Sequence, residues 1–195
     1  MFAAKGYDAV SVAQIAEAVG IKAPSLYKHY KSKQDIFEAI IAQMEERYRQ
    51  QAGAMRLNGG EPGADKELFL ALPEEQLVQL GAGLFLYFLH DDEVRKFRQM
   101  LTIEQYNNGE LAALYTKQYV DDPLAYQGAL FGMLAQEGLL LGEAPDVMAL
   151  HFYAPIQLLL TLCDRQPERE PEALQLLERH IRQFNRLYQR GENHT

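Results

Sequence analysis

The sequence has a single cysteine, Cys163, and no tryptophan among its 195 residues. One cysteine excludes an internal disulfide framework and a zinc site built from several cysteines. Long hydrophobic runs are also lacking, because the longest, at residues 84–89, is far shorter than the roughly 20 residues that span a bilayer. The opening residues do not have the basic and then apolar pattern of an export signal. We therefore expect no membrane association and a cytoplasmic location.

Basic residues are scarce. Lys and Arg total 19 against 27 Asp and Glu, which gives a net charge of −8. Taken as an average, this balance argues against nucleic-acid binding. Residues 1–37, however, hold five lysines and three acids and sum to +2, whereas the remainder sums to −10. The asymmetry favours nucleic-acid contact by the N-terminal end, although +2 over 37 residues can also arise by chance.

Nearly every segment has helical spacing and strand-like alternation is scarce, so we predict an all-α fold. The Gly- and Pro-rich stretch at residues 57–65 predicts a loop near a domain boundary. We divide the chain into a domain over residues 1–45 and a larger domain over residues 46–195, bridged by a helix over residues 32–51. Further helices are predicted over residues 11–19, 24–30, 74–90, 92–106, 110–120, 123–141, 145–164 and 171–190.

Residues 12–33 have the spacing of a helix-turn-helix motif. Ser11 and Gln14 predict a capping box, and Gly20 supplies the turn between two short helices. The apolar side chains predicted to pack between these helices are Ile15, Val19, Ile21 and Leu26. This spacing is a moderate signal by itself, since any corner between two helices can imitate it.

The second of these helices presents groups that suit DNA. Its start, at residues 22–25, would face base edges if the helix entered a major groove. Tyr27 and Lys28 share the outer side, and His29, Lys31 and Lys33 follow closely. Hydroxyl, imidazole and ammonium groups all bind phosphate oxygens. The alternative is a solvated helix end whose lysines the helix dipole favours, but that does not explain why hydroxyls and aromatics share the same face.

Residues 2–40 resemble the DNA-binding domain of the TetR family of transcriptional regulators. The resemblance rests on Phe2, Gly6, Tyr7, Ser11, Ile15, Ala16, Gly20, Ile21, Ser25, Leu26, Tyr27, His29, Tyr30, Ser32 and Lys33. It implies an N-terminal helix-turn-helix domain of three helices, followed by a larger helical domain for ligand binding and dimerisation. It further implies a homodimeric repressor that binds a palindromic DNA operator and is released from it by a small-molecule effector.

The same resemblance implies roles for individual positions. The residues it implies to contact phosphates are Ser11, Tyr27, His29 and Lys33. The residues it implies to face bases are Lys22, Ala23, Pro24, Ser25 and Lys28, of which Ala23 offers only apolar contact with a thymine methyl. The family's first helix is longer than the turn that follows Met1 here, so that helix is truncated. Either the sequence begins late, which we favour, or the helix is absent, which would expose Ile15 and Leu26.

The predicted helices over residues 145–164 and 171–190 carry apolar stripes. Packing within one subunit would explain these stripes. The family resemblance instead implies that the two helices pair with those of a second copy in a four-helix bundle. The residues predicted to form this homodimer interface are Leu158, Leu162, Leu177, Ile181, Phe184 and Tyr188.

The middle helices are rich in aromatic residues and methionine, which suits an effector pocket with a few polar groups. The residues predicted to line it are Phe88, Phe97, Met100, Tyr106, Tyr119, Tyr126, Phe131 and Gln136. For any one of them the simpler explanation is core packing, since an aromatic at helical spacing is usually buried. The set as a whole favours a hydrophobic or aromatic effector.

No motif for catalysis, cofactors or metal ions is evident. The acidic group at residues 90–93 is explained by one helix ending and the next beginning. The five histidines lack the spacing of metal ligands, Cys163 lies on an apolar helix that suits packing, and phosphate-binding glycine motifs are absent. We therefore expect neither an enzyme nor a cofactor or metal site. The alternative to a DNA-binding regulator is a small-molecule-binding helical dimer that has lost DNA binding.

Overall fold

The structure, a computed structural model, describes residues 1–58 and 60–189. Within these ranges the chain is helical and has no strands, which confirms the all-α prediction. The helices are α1 (Phe2–Lys5), α2 (Val12–Ala18), α3 (Ala23–Leu26), α4 (Lys33–Ala54), α5 (Pro62–Ala71), α6 (Glu74–His90), α7 (Asp92–Glu104), α8 (Gly109–Thr116), α9 (Asp122–Gln136), α10 (Pro145–Arg165) and α11 (Glu170–Tyr188). A π-helical turn, Lys117–Asp121, joins α8 to α9, and a 3₁₀ turn, Pro167–Arg169, precedes α11.

The helices form two compact units. The first, the head unit, contains Met1–Tyr48 and Asp92–Tyr115, and the second, the helical unit, contains Arg49–Asp91 and the described residues from 116 to 189. The predicted division into residues 1–45 and 46–195 did not anticipate that α7 packs with the N-terminal helices. Helical spacing could not reveal this, because a contact such as that between the rings of Phe37 and Phe97 (6.3 Å between centroids) joins positions far apart in the sequence. The predicted bridging helix is present as α4, which begins in one unit and ends in the other.

Local hydrogen bonds set the ends of the N-terminal helices as the sequence predicts. Ser11 Oγ accepts from the Gln14 N–H at 3.2 Å, and Gln14 Oε1 accepts from the Ser11 N–H at 2.8 Å, which completes the capping box. Gly20 turns the chain with a φ of 74°, a conformation that costs glycine little. Ser32 Oγ accepts from the Asp35 N–H at 3.0 Å at the start of α4.

The core between α2, α3 and α4 is formed by Ala16, Leu26 and Ile36, with Ile15 packed beside them. Leu26 is buried even though α1 has only four residues. Two predicted members of this core were wrong: Val19 and Ile21 are 62% and 41% exposed. The reason is that α2 ends at Ala18, and the turn at Gly20 carries both side chains away from the core.

In the helical unit, α10 packs against α9 and α11, and α11 packs against α6. By length and composition α10 is apolar enough to cross a membrane, with a mean hydropathy of 1.4, although its apolar residues do not form one uninterrupted run. The core helix of a soluble protein meets the same criterion. One side of α10 does supply core residues, since Leu159, Leu160 and Cys163 are buried against α6 and α11.

Several helix boundaries differ from those predicted. α5 begins inside the predicted loop, where the buried carboxylate of Asp65 accepts from the Asn58 N–H and the Tyr126 O–H, both at 2.6 Å. The helix predicted over residues 110–120 gives way to the π turn, and the next ends at Gln136, short of residue 141. Long-range contacts such as those of Asp65 can decide where a helix begins or ends, even where the local composition favours a different boundary. The predicted end of the last helix, Arg190, lies outside the described residues, as does His194.

Candidate nucleic-acid interface

The candidate interface is the outer surface of α3 and the turn that follows it. The α-helix ends at Leu26, and residues 27–29 continue as turns instead of the predicted helix to residue 30. Leu26 is only 7% exposed because it packs against α2 and α4, whereas Tyr27 beside it is 52% exposed. Burial of one side of this short segment therefore leaves its other side exposed to solvent.

Most of the predicted DNA-contacting residues lie on this exposed surface or beside it. The exposed ones are Ser11, Lys22, Pro24, Ser25, Tyr27, Lys28 and His29. Ala23 differs, because it is half-buried against the core of Ala16, Leu26 and Ile36. A contact between its methyl group and a thymine stays a prediction.

The lysines of this region fall into two groups. Lys22, Lys28 and Lys31 are exposed, and their ammonium groups make no hydrogen bond or ion pair with any other described residue. Lys33 is different, since its Nζ donates to the Tyr7 carbonyl at 2.9 Å and lies 4.3 Å from the centroid of the Tyr7 ring. The structure therefore leaves three cations available for phosphates and engages the fourth within the head unit.

Asp35 fixes the turn that presents these lysines. Its Oδ1 accepts from the Ser32 O–H at 2.6 Å, and its Oδ2 accepts from the Lys31 N–H at 2.9 Å. The hydrogen bond from Ser32, followed by that from the Lys31 backbone, lowers the pKa of the Asp35 carboxyl. The carboxylate is thus ionised at neutral pH and holds the backbone of Lys31 in place.

Tyr7 is buried within the head unit and is bonded to α4. Its hydroxyl donates to Gln34 Oε1 at 2.9 Å. Burial raises the pKa of Tyr7, and nearby carboxylates raise it further, so the hydroxyl keeps the proton that it donates. The carboxylates are those of Asp8, Glu110 and Glu38.

Comparison with known proteins agrees with this geometry. The family model described as "Bacterial regulatory proteins, tetR family" matches residues 1–40, which contain α1, α2, α3 and the start of α4. The first 40 residues are thus similar to the N-terminal domain of tetR-family regulators.

Three individual proteins illustrate what the chain is similar to. The HTH-type transcriptional repressor ComR of Escherichia coli (strain K12) is 38% identical over 48 residues, which are 25% of this chain and 23% of that repressor. A tetR-family regulator structure from Mesorhizobium loti MAFF303099 has a TM-score of 0.70 at 20% identity and covers 97% of this chain and 91% of its own. SmeT, the repressor of the Stenotrophomonas maltophilia multidrug efflux pump SmeDEF, has a TM-score of 0.65 at 16% identity, covering 98% and 86%. At these identities the structures show a shared fold.

The predicted dimer residues divide into two groups by their burial. Leu177, Ile181 and Phe184 are at most 4% exposed because they form the core of the helical unit against α6, α9 and α10, so they cannot also face a second copy. Leu162 and Tyr188 are half-buried. Leu158 is 68% exposed and is the one predicted residue that stands clear of the core.

Four apolar side chains that were not predicted are exposed on α10 and α11 together with Leu158. The whole set is Val147, Leu150 and Leu158 on α10, and Leu176 and Leu187 on α11. Val147 and Leu158, like Leu176 and Leu187, are eleven positions apart, which is three helical turns and places each pair on one helix face. Leu158, Leu176 and Leu187 line one shallow groove, together with His151, Arg179 and Gln183. The signal in the sequence was a second apolar stripe on α10, which periodicity alone does not separate from the buried one.

The predicted effector residues are not brought together as one set. Phe97, Met100 and Tyr106 belong to the head unit, whereas Phe88, Tyr119, Tyr126, Phe131 and Gln136 belong to the helical unit. Tyr106 is 85% exposed and Gln136 is also exposed, so neither lines an interior cavity. Gln136 is the last residue of α9, and Tyr106 lies in the turn that follows α7, which helical spacing does not detect.

Buried aromatic rings remain in the helical unit. Phe131 contacts the ring of Phe184 at 5.1 Å, and the Tyr126 hydroxyl reaches buried Asp65. Sequence reasoning missed Asp65, since an aspartate in a Gly- and Pro-rich stretch is ordinarily exposed. Among the described residues, no group of three His, Cys, Asp or Glu side chains is placed to hold a metal ion.

Proposed function

We propose that the protein is a ligand-responsive transcriptional repressor that binds a palindromic operator as a homodimer in the bacterial cytoplasm. The observation that carries the proposal is the exposed surface of α3 on a tetR-family domain, where Lys22, Lys28 and Lys31 have no ion-pair partner among the described residues. In helix-turn-helix proteins the second helix of the motif enters the major groove. Here that helix is α3.

Each exposed group of the head unit takes a role that its chemistry supports. Four residues face base edges, namely Lys22 just before α3, Pro24 and Ser25 within it, and Lys28 in the turn that follows it. Four others contact phosphates: Ser11, whose hydroxyl hydrogen is not used by the capping bond, and Tyr27, His29 and Lys31. Lys33 holds Tyr7, so we assign its ammonium group to positioning and not to phosphate contact.

The exposed stripes of α10 and α11 are the surface for the second copy. Leu150 and Leu158 are more than half exposed on a helix that is already apolar on its buried side. Isolated exposed leucines are ordinary, but a continuous apolar stripe over two neighbouring helices is typical of an interface. Pairing by a two-fold axis places the same stripes against each other.

The effector site belongs to the helical unit. A complex of SmeT with triclosan has a TM-score of 0.68 to this chain at 17% identity, so the same fold accommodates a small organic ligand in that protein. The buried rings around Phe131 and the polar pair of Tyr126 and Asp65 suit a ligand that is mainly apolar with one hydrogen-bonding group. Because α4 is part of both units, an effector that alters its position would change operator affinity.

DNA binding is tested with labelled DNA from upstream of the protein's own gene, by fluorescence anisotropy at a stated salt concentration. We expect Lys28→Ala to weaken binding strongly. Lys117→Ala, which removes the same charge from the π turn of the helical unit, should leave binding unchanged. If the wild-type protein does not bind DNA while an apolar ligand raises its melting temperature, the alternative of a small-molecule-binding dimer is correct.

Dimerisation is tested by sedimentation equilibrium. Leu158→Glu places a charge in the proposed interface and should give monomers, whereas Ile103→Glu changes an exposed residue of α7 and should leave a dimer. A dimeric Leu158→Glu variant would remove this face from the proposal. For the effector, a thermal-shift screen that yields only polar, acidic hits would contradict an apolar site.

A further inference from the structure

Glu104, at the C-terminal end of α7, is a buried carboxylate within the head unit. It is 5% exposed, and its Oε1 accepts from the backbone N–H of Tyr7 at 3.1 Å. Leaving a buried carboxylate without hydrogen bonds is costly, and so is leaving a buried backbone N–H without an acceptor. Each group therefore satisfies the other, and the bond ties α7 to the segment between α1 and α2.

Tyr7 also contacts residues at the start of α4. Its carbonyl accepts from Lys33 Nζ, its hydroxyl donates to Gln34, and its ring lies 5.0 Å from that of Phe37. Tyr7 is thus held at its N–H by α7 and at its carbonyl, hydroxyl and ring by α4. Four residues further on, Ser11 caps α2. A displacement of Tyr7 therefore displaces the start of the helix-turn-helix.

Gly6 makes the close approach of Glu104 possible. Its φ is 83°, and a Cβ atom built on it would lie 2.5 Å from Glu104 Oε1. No Cβ atom tolerates that distance, so a side chain at position 6 would push the carboxylate off the Tyr7 amide. The glycine is needed for the backbone conformation and also for room beside the carboxylate.

α7 also contacts α4 at two other positions, Glu93 and Phe97. Glu93 Oε2 lies 2.7 Å from Arg47 Nη2 and accepts from Gln43 Nε2 at 3.3 Å. The Phe97 ring contacts that of Phe37 in between. Glu104 is consequently the last attachment of a helix that is already anchored, which makes its carboxylate a fixed point for Tyr7.

We propose that Glu104 is a positioning residue for operator binding. By accepting the hydrogen bond from the Tyr7 amide, Glu104 sets the orientation of α2 and α3. This inference rests on the proposed DNA-binding function. Operator recognition needs both copies of α3 in register with their half-sites, whereas non-specific binding needs only cations near phosphates. Loss of the contact should therefore weaken operator binding much more than non-specific binding.

The test compares Glu104→Leu and Glu104→Gln in the full chain, with operator and scrambled DNA of equal length. We expect Glu104→Leu to lower the ratio of operator to scrambled-DNA affinity by roughly tenfold, the effect of losing one charge-assisted hydrogen bond. Glu104→Gln keeps an acceptor oxygen and should restore most of the ratio. Glu45→Leu, which removes an exposed carboxylate from α4 of the head unit, is the matched control and should leave the ratio unchanged.

A second variant keeps the carboxylate and disturbs the contact from the other side. Gly6→Ala should lower the same ratio, and in both damaging variants the Tyr7 amide should exchange its hydrogen faster. If the Tyr7 amide loses protection while the affinity ratio is unchanged, Glu104 is a structural residue only and the inference is wrong. An equal fall of both affinities would mean loss of folded protein and would also overturn it. A wild-type protein that does not bind DNA would overturn the proposed function itself, which the wild-type titration shows separately.

Discussion

Lys31 and Lys33 carry the same charge two positions apart, but the structure gives their ammonium groups different surroundings. Lys31 is exposed and its ammonium makes no hydrogen bond or ion pair with a described residue, whereas Lys33 donates to Tyr7 at 2.9 Å. If only Lys31 neutralises a phosphate, Lys31→Ala removes two phosphate contacts from a dimer and Lys33→Ala removes none. The two variants therefore separate a DNA contact from an internal one.

The expected magnitude follows from counterion release. Each phosphate contact contributes about 0.9 to the slope of log K against log salt, so Lys31→Ala should make that slope shallower by about 1.8. Between 50 and 200 mM salt, the wild-type protein should then lose about 12-fold more affinity than Lys31→Ala does. Lys33→Ala should keep the wild-type slope, and its free energy of unfolding should fall by about 1–3 kcal/mol, since a charge-assisted hydrogen bond and a cation–π contact are lost.

The assay is fluorescence anisotropy of labelled operator over this salt range, together with thermal unfolding of each variant. Lys117→Ala controls for the loss of one positive charge elsewhere. Equal changes of slope in Lys31→Ala and Lys33→Ala would refute the reasoning, because they would show that the Lys33 ammonium leaves Tyr7 to reach a phosphate.

Three further predictions concern stability. Ser11→Ala removes the capping bond to α2 and should lower the unfolding free energy by about 1 kcal/mol in urea titrations, with an unchanged value counting against the cap. Tyr126→Phe removes the hydroxyl that donates to buried Asp65 and should cost about 2 kcal/mol in the same assay; a neutral effect would mean that another donor serves the carboxylate. Because the pKa of Asp35 is lowered in the folded state, its stabilisation is complete above its unfolded pKa of about 3.9 and is lost as the pH falls through the folded value. Asp35→Asn should therefore be less stable than wild type at neutral pH and converge with it in acid; parallel curves down to low pH would contradict this.

Local chemistry was predictable because it acts over a few residues. The capping box at Ser11, the turn at Gly20 and the start of α4 after Ser32 depend on hydrogen bonds and dihedral angles within three or four positions. The exposed face of α3 was predictable for the same reason, because neighbouring residues on a helix point in different directions. When Leu26 is buried, Tyr27 next to it is exposed to solvent. The average charge of −8 was misleading because it combined a basic N-terminal segment with an acidic remainder.

The exposure of individual apolar side chains was less predictable. Leu158 and Leu177 are equally apolar and equally well spaced, yet one is 68% exposed and the other 1%. Helical periodicity gives the width of an apolar stripe but does not say whether the same chain or a second copy covers it. Tyr106 and Gln136 failed as pocket residues for a similar reason, because exposure at a helix end depends on where the next segment turns.

By itself, the sequence determined the all-helical fold, the helix-turn-helix and the residues of its exposed face, since these depend on local spacing, capping and a recognisable family motif. Only the tertiary structure decided which lysines are engaged within the head unit, which apolar stripe is buried and where α7 belongs. The physical reason is that these properties arise from contacts between distant positions. The hydrogen bond from the Tyr7 amide to Glu104 joins two segments of one unit that are far apart in the sequence. The spacing of residues within either segment does not predict that the two segments are in contact.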